Sequence, residues 1–191
     1  MFSKTADVNK NLPYHLNNIL VANKLEQNKI IKSPENLLYD IKNGLATLAD
    51  EDDACKDPRC AYAFARNVKG ADIERCCEGA CKDPEWAFKF ALWIKGANIE
   101  KCEETACKHP RLAYWFARNV KGANREKCQE AACKDPKWAY YFAMNVKGAN
   151  IEKCQEVTCK DPEWASMFPR YVPGANIEKC RKACAGTKYA F

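Results

Sequence analysis

Thirteen cysteines and only two histidines stand in this chain of 191 residues, and the cysteines are periodic. Cys55, Cys81, Cys107, Cys133 and Cys159 recur every 26 residues, and Cys76, Cys102, Cys128, Cys154 and Cys180 recur at the same interval. Sulfur in two registers has three chemistries. It fills a core as a small apolar group, it closes disulfides, or as thiolate it binds Zn(II), Cu(I) or an iron–sulfur cluster. Two cysteines in each of five copies exceed what packing alone asks for. Structural zinc and ferredoxin clusters use tighter spacings than these. A disulfide ladder with no cofactor is therefore the leading expectation, and a thiolate metal or cluster site on the register cysteines is the alternative.

Two pairings compete. A local bridge such as Cys102–Cys107 joins residues five apart, which a continuous helix turns about 140° from each other. Position 50 is Asp, so Cys55 has no local partner, whereas the 21-residue spacing completes every repeat. The expected bonds are Cys55–Cys76, Cys81–Cys102, Cys107–Cys128, Cys133–Cys154 and Cys159–Cys180. Cys60 and Cys77 lie about equally far from the turn at 68–69 and are expected to pair across a hairpin, leaving Cys184 as a free thiol. The alternative local pairing and the metal reading remain open at this point.

The elements that must position these sulfurs are helices. Asp83-Pro84-Glu85 is a helix start: Asp caps, Pro presets φ, and Glu suits the positive end of the dipole. Trp86, Ala87, Phe90, Ala91 and Ile94 then form a wide apolar stripe. The stripe predicts a first helix ending at Gly96, after which Asn98 caps a shorter second helix. Neither helix buries its stripe alone, so units must stack. The fold class is all-α, an α-solenoid of about five two-helix repeats over 55–184. Residues 33–54, where Ser33-Pro34-Glu35 precedes Leu37, Leu38, Ile41 and Gly44, read as a degenerate N-terminal capping repeat. Residues 1–32 form an extension with one amphipathic helix over 13–31 and a frayed start, and 185–191 a C-terminal tail. Pro169 and Pro173 predict a shortened or kinked helix in the last repeat.

The repeat, with its Ala-x-x-Phe-Ala-x-x-Val-x-Gly core carried over residues 54–184, resembles short two-helix repeats of bacteriophage, viral and metagenomic proteins. The architecture is similar to Sel1-like and tetratricopeptide arrays, including secreted cysteine-rich Sel1-like proteins bridged by disulfides, although unit length and motif differ. The resemblance implies a helical scaffold. It brings no activity and transfers no binding residue.

The chain is 47% apolar and carries a net charge of +6, which is globular composition. No stretch reaches the roughly 20 apolar residues of a membrane helix, and residues 1–7 lack the apolar run of an export signal. No membrane association is expected. Synthesis inside a cell is expected, and the cysteine pattern points to an oxidising setting. No phosphate loop, nucleophile elbow or His/carboxylate triad is present, so no enzymatic activity is expected. Basic registers such as Arg75, Lys101, Lys127, Lys153 and Lys179 run beside acidic ones. A mixed-charge solvated face is therefore favoured over a nucleic-acid stripe. Positions that vary between repeats are where solenoids dock partners. Arg66, Trp93, Trp115, Arg118, Tyr141, Arg170 and Tyr171 vary and have hot-spot chemistry, so the expected partner is a protein.

Overall fold

A computed structural model of the chain describes residues 31–191. The amphipathic helix expected over 13–31, but for its last residue, and the frayed start lie outside the described residues. Within them are twelve α-helices and no strands. The capping unit supplies α1 (Pro34–Lys42), a 3-10 turn and α2 (Glu51–Ala54). Five hairpins follow. The long helices are α3 (Pro58–Asn67), α5 (Pro84–Trp93), α7 (Pro110–Asn119), α9 (Pro136–Asn145) and α11 (Pro162–Tyr171). The short helices are α4 (Ile73–Ala80), α6 (Ile99–Ala106), α8 (Arg125–Ala132), α10 (Ile151–Thr158) and α12 (Ile177–Cys184).

Local chemistry starts each helix. Asp57 and Asp83 each accept two backbone N–H groups of the first turn, and Asp135 and Asp161 accept one. His109 stands at the same position in α7, and its side chain caps nothing. Asp72 and Asn98, Asn124, Asn150 and Asn176 cap the short helices in the same way.

The long helices stop three residues before the expected glycine. Ile94 is already extended at φ −99°, Ala97 N–H bonds to the Ile94 carbonyl at 3.3 Å, and Gly96 between them has φ +85°. That is the signature of a type II turn, in which only glycine is at ease at the third position. The same turn explains the last repeat. Pro173 falls at the second turn position, which favours proline, and α11 keeps its ten residues despite Pro169 near its end. The expected shortening does not occur: Pro169 removes one donor, the one to the Ala165 carbonyl, and the helix continues to Tyr171.

Each short helix packs on the long helix of its own repeat and, except for α12 at the end of the array, on the long helix of the next, while consecutive long helices stack directly. Phe64, Phe90, Phe116, Phe142 and Phe168 are completely buried at the seams, beside Ala61, Ala87, Ala113, Ala139 and Ala165. α1 packs on α3, and α2 on α3 and α4. The tail is tied to the last repeat through Tyr189, whose hydroxyl lies 3.2 Å from Glu163 Oε2.

Candidate functional site

A hairpin that runs out along ten residues and back along eight brings positions 21 apart to the same end. The opening cysteine of each repeat sits immediately past the preceding helix, and its partner occupies the fourth position of its own short helix. The Sγ–Sγ distances are 3.8 Å for Cys55–Cys76, 3.6 Å for Cys81–Cys102 and 3.5 Å for Cys107–Cys128. They are 3.7 Å for Cys133–Cys154 and 3.8 Å for Cys159–Cys180. The sulfurs are in contact but not bonded. Hydrogen bonding within each pair lowers Cys55, Cys107 and Cys133 from the usual thiol value, and Cys76, Cys128 and Cys154 are pushed up by the same bonds and by burial.

The structure does not bring Cys60 and Cys77 together. Cys60 faces α1, with its Sγ 3.4 Å from the Pro34 carbonyl, and burial together with the Asp57 carboxylate pushes its thiol up to about 12. Cys77 faces the next repeat, 3.5 Å from Cys102 Sγ and 3.9 Å from Cys81 Sγ. Equal distance from a turn places two residues at one level of a hairpin, yet which face each presents is set by the neighbours outside it. Cys184 is buried, and its Sγ lies 3.3 Å from the Pro162 carbonyl, as the equivalent Thr158 hydroxyl lies 3.4 Å from that of Pro136.

Sequence reasoning missed the residue that follows each second-register cysteine. Gln129 brackets Asn150 of the next repeat: its Oε1 accepts the Asn150 N–H at 3.0 Å, and its Nε2 donates to the Asn150 carbonyl at 2.8 Å and to Cys154 Sγ at 3.2 Å. Gln155 makes the same three contacts to Asn176 and Cys180. Glu51 and Glu103 accept the corresponding N–H, of Asp72 and Asn124, each at 2.6 Å, without donating back to the carbonyl, and Glu103 also accepts from Cys128 Sγ at 3.5 Å. The available signal was an amide or carboxylate recurring at the same 26-residue interval. Cys77 interrupts that series.

Along the long helices, Trp115, Arg118 and Tyr141 meet in one cleft of about 400 Å³, completed by Tyr114, Lys137, Trp138, Met144 and Asn145. Its rings are tilted against one another, with Tyr114–Trp138 centroids 5.8 Å apart and Trp138–Tyr141 5.6 Å apart. Arg118 donates to the Tyr114 hydroxyl at 2.7 Å and lies 5.5 Å from the Trp115 ring. Lys137 lies 5.4 Å from the Trp138 ring. Arg66 lines a second cleft with Tyr62 and Trp86, and donates to the Tyr62 hydroxyl at 2.9 Å. Trp93, Arg170 and Tyr171 line neither. Trp93 (64% exposed) and Tyr171 (55%) end their helices where Asn67, Asn119 and Asn145 fold back onto a carbonyl four residues earlier.

The basic register is occupied by ion pairs to the preceding repeat. Lys101 reaches Glu78 at 2.7 Å, Lys127 Glu104 at 3.7 Å, Lys153 Glu130 at 3.1 Å and Lys179 Glu156 at 3.5 Å. These partners lie 23 residues upstream rather than beside the lysine in sequence. No described helix is long and apolar enough to cross a membrane. No protein-family model, curated protein or solved structure matches the chain.

Proposed function

We propose that this protein is a non-enzymatic helical-repeat scaffold that binds a protein partner through the cleft around Trp115, Arg118 and Tyr141. The observation that carries this reading is the convergence of four aromatic side chains and two cations on helices α7 and α9 in an open cleft. Core packing needs the buried Phe register, but it does not need Trp115 or Tyr141, whose equivalents in other repeats are Ala63, Lys89 and Met167. Trp, Tyr and Arg are the residues that carry binding energy at interfaces. Arg118 and Lys137 at the rim suit a segment that places a carboxylate beside an aromatic or aliphatic side chain. The pairing of the lysine register with upstream glutamates favours a protein partner over a nucleic-acid backbone. The phage-like resemblance suggests a virus-encoded accessory protein that engages a host protein.

In the same reading, the register cysteines staple the hairpins in an oxidising setting. Each bond would close a loop of about 20 residues, worth about 3 kcal/mol in the chain-entropy model. Selecting a displayed random-peptide library on the whole chain tests the binding face. The expected outcome is enrichment of acidic peptides with an aromatic or aliphatic anchor that bind Trp115→Ala or Tyr141→Ala at least about 30-fold more weakly, the effect of a 2 kcal/mol hot spot. Peptides that bind those variants as well as the parent would overturn the assignment.

A further inference from the structure

One cluster is left unexplained by scaffold and staples alone. Cys77, Cys81 and Cys102 put three sulfurs within reach of one another, with Sγ–Sγ distances of 3.9 Å (Cys77–Cys81), 3.5 Å (Cys77–Cys102) and 3.6 Å (Cys81–Cys102). A disulfide uses two sulfurs and leaves the third over. A tetrahedral ion held at the usual Zn–S length of about 2.3 Å needs sulfurs about 3.75 Å apart, the edge of a tetrahedron of that radius. The three edges of this triangle each lie close to that value.

The chain departs from its own repeat to build the triangle. At the position of Cys77, the second, third and fourth repeats hold Glu103, Gln129 and Gln155, which latch to the backbone of the next short helix, and the last repeat, with no short helix beyond it, holds Arg181. The first repeat gives up that carboxylate or amide for a sulfur, and packing does not demand it, since buried glutamines fit the equivalent sites at 129 and 155. Cys77-x3-Cys81 also has the one-turn spacing of a metal-binding knuckle, Cys77 within α4 and Cys81 just past its end. Cys77 and Cys102 are fully buried, while Cys81 is partly exposed. An ion would reach the site past Cys81, and solvent would complete its coordination. The Lys101 ammonium bears on both Cys77 and Cys81 and offsets part of the negative charge that three thiolates carry.

We propose that Cys77, Cys81 and Cys102 form a binding site for one thiophilic cation, joining the first repeat to the second. A divalent ion exchanges for three thiol protons, which pass to solvent, and leaves a site of charge −1. In this repeat, coordination takes the place of the Cys81–Cys102 bond; the other four register pairs have two sulfurs each and remain dithiols or disulfides. The inference does not depend on the peptide cleft.

Titration of the whole, fully reduced chain with Co(II) under anaerobic conditions tests it. The expected result is sulfur-to-cobalt charge-transfer absorption that saturates at one equivalent and is displaced by Zn(II). Cys77→Ser should weaken binding by more than about tenfold, since even the loss of an outer-sphere partner costs a metal site about 10–100-fold. Cys107→Ser, which breaks an ordinary pair, should leave the titration unchanged. Cys77→Gln guards against a folding failure, because it restores the latch that Gln129 and Gln155 form; it should fold at least as well as the parent and lose the cobalt band. Absence of the band in the parent overturns the site, and so does a band that survives undiminished in Cys77→Gln.

Discussion

Replacing Gln129 by Leu removes the latch between the third and fourth repeats while keeping the side-chain volume nearly constant. Gln129 is 6% exposed and bonds to both backbone groups of Asn150, at 3.0 and 2.8 Å. A neutral hydrogen bond contributes about 1 kcal/mol net, so the two contribute about 2 kcal/mol. Asn150 itself is exposed, and water can take over its N–H and carbonyl. The further penalty for an unsatisfied buried group is therefore mostly avoided, and the apolar gain of Leu offsets part of the loss. The expected net cost is about 1–2 kcal/mol, or a melting temperature lower by about 2–8 °C for a chain of this size. The effect must also be local, because each repeat touches only its neighbours. Hydrogen exchange should accelerate at Asn150 and the first turn of α10, and stay unchanged at Asp72 and the start of α4. Unchanged protection at Asn150, or a loss spread evenly along the array, would refute the latch as the source of inter-repeat stability.

Three further outcomes follow from single contacts. Gly79→Ala, inside α4, should destabilise by about 1–3 kcal/mol as an overpacked site, against the usual helix preference for Ala, because the new Cβ would meet the Cys55 carbonyl at 2.7 Å and Ala61 Cβ at 2.8 Å; a denaturant midpoint that rises would refute this. At Asp57, burial raises the carboxyl, but the Cys60 and Arg59 amides and the Arg59 guanidinium outweigh it and hold the group below its ordinary value. A depressed carboxyl contributes stability that is present above the ordinary carboxylate pKa and lost as pH falls through the lowered one, so the parent should lose ground to Asp57→Asn on acidification below about pH 4; parallel melting curves for the two proteins across that range would contradict it. Mild oxidation followed by peptide mapping should link Cys107–Cys128 and Cys133–Cys154, and leave Cys60 and Cys184 alkylatable after denaturation; a Cys102–Cys107 or Cys60–Cys77 link would contradict the pairing geometry.

Helix starts, the two sulfur registers and the all-α repeat architecture were legible because each rests on local chemistry multiplied five times. Asp-Pro pairs, Asn caps and the glycine turn act within a few residues, and a 26-residue period carries them from one unit to the next. The helix ends were misplaced by three residues, because apolar periodicity continues through Ile94 although the backbone there has already turned extended to enter the type II turn. The facing of Cys60 depends on α1, and that of Cys77 on α6, so neither could be read from the α3–α4 hairpin. The latch escaped because its partner is backbone, which leaves no mark in composition. The aromatic cleft was half legible: variability marked Trp115, Arg118 and Tyr141, whereas nothing in the repeat pattern marked Tyr114, which is buried in the core and also lines the cleft.

In a stacked array, every equivalent position meets nearly the same surroundings, so a residue found in one repeat alone demands a local cause. Gly79 has one in packing: the backbone of Cys55 passes too close for a side chain. His109 has none of that kind, and at its position the helix forgoes the cap bonds that Asp57 and Asp83 make. Cys77 is the decisive case. Its site accepts Gln elsewhere, and Cys keeps a contact to the Asn98 backbone but lacks the amide that donates back to the carbonyl, while bringing a third sulfur onto a pair that needs only two. A residue that gives up part of a stabilising contact and places a third ligand atom beside two others is what the proposed cation site would require. In the proposed binding face, Trp115 and Tyr141 are likewise exceptions to their register, lining an open cleft rather than a buried site. The two exceptions lie in different repeats and use different chemistry, so losing either should leave the other intact.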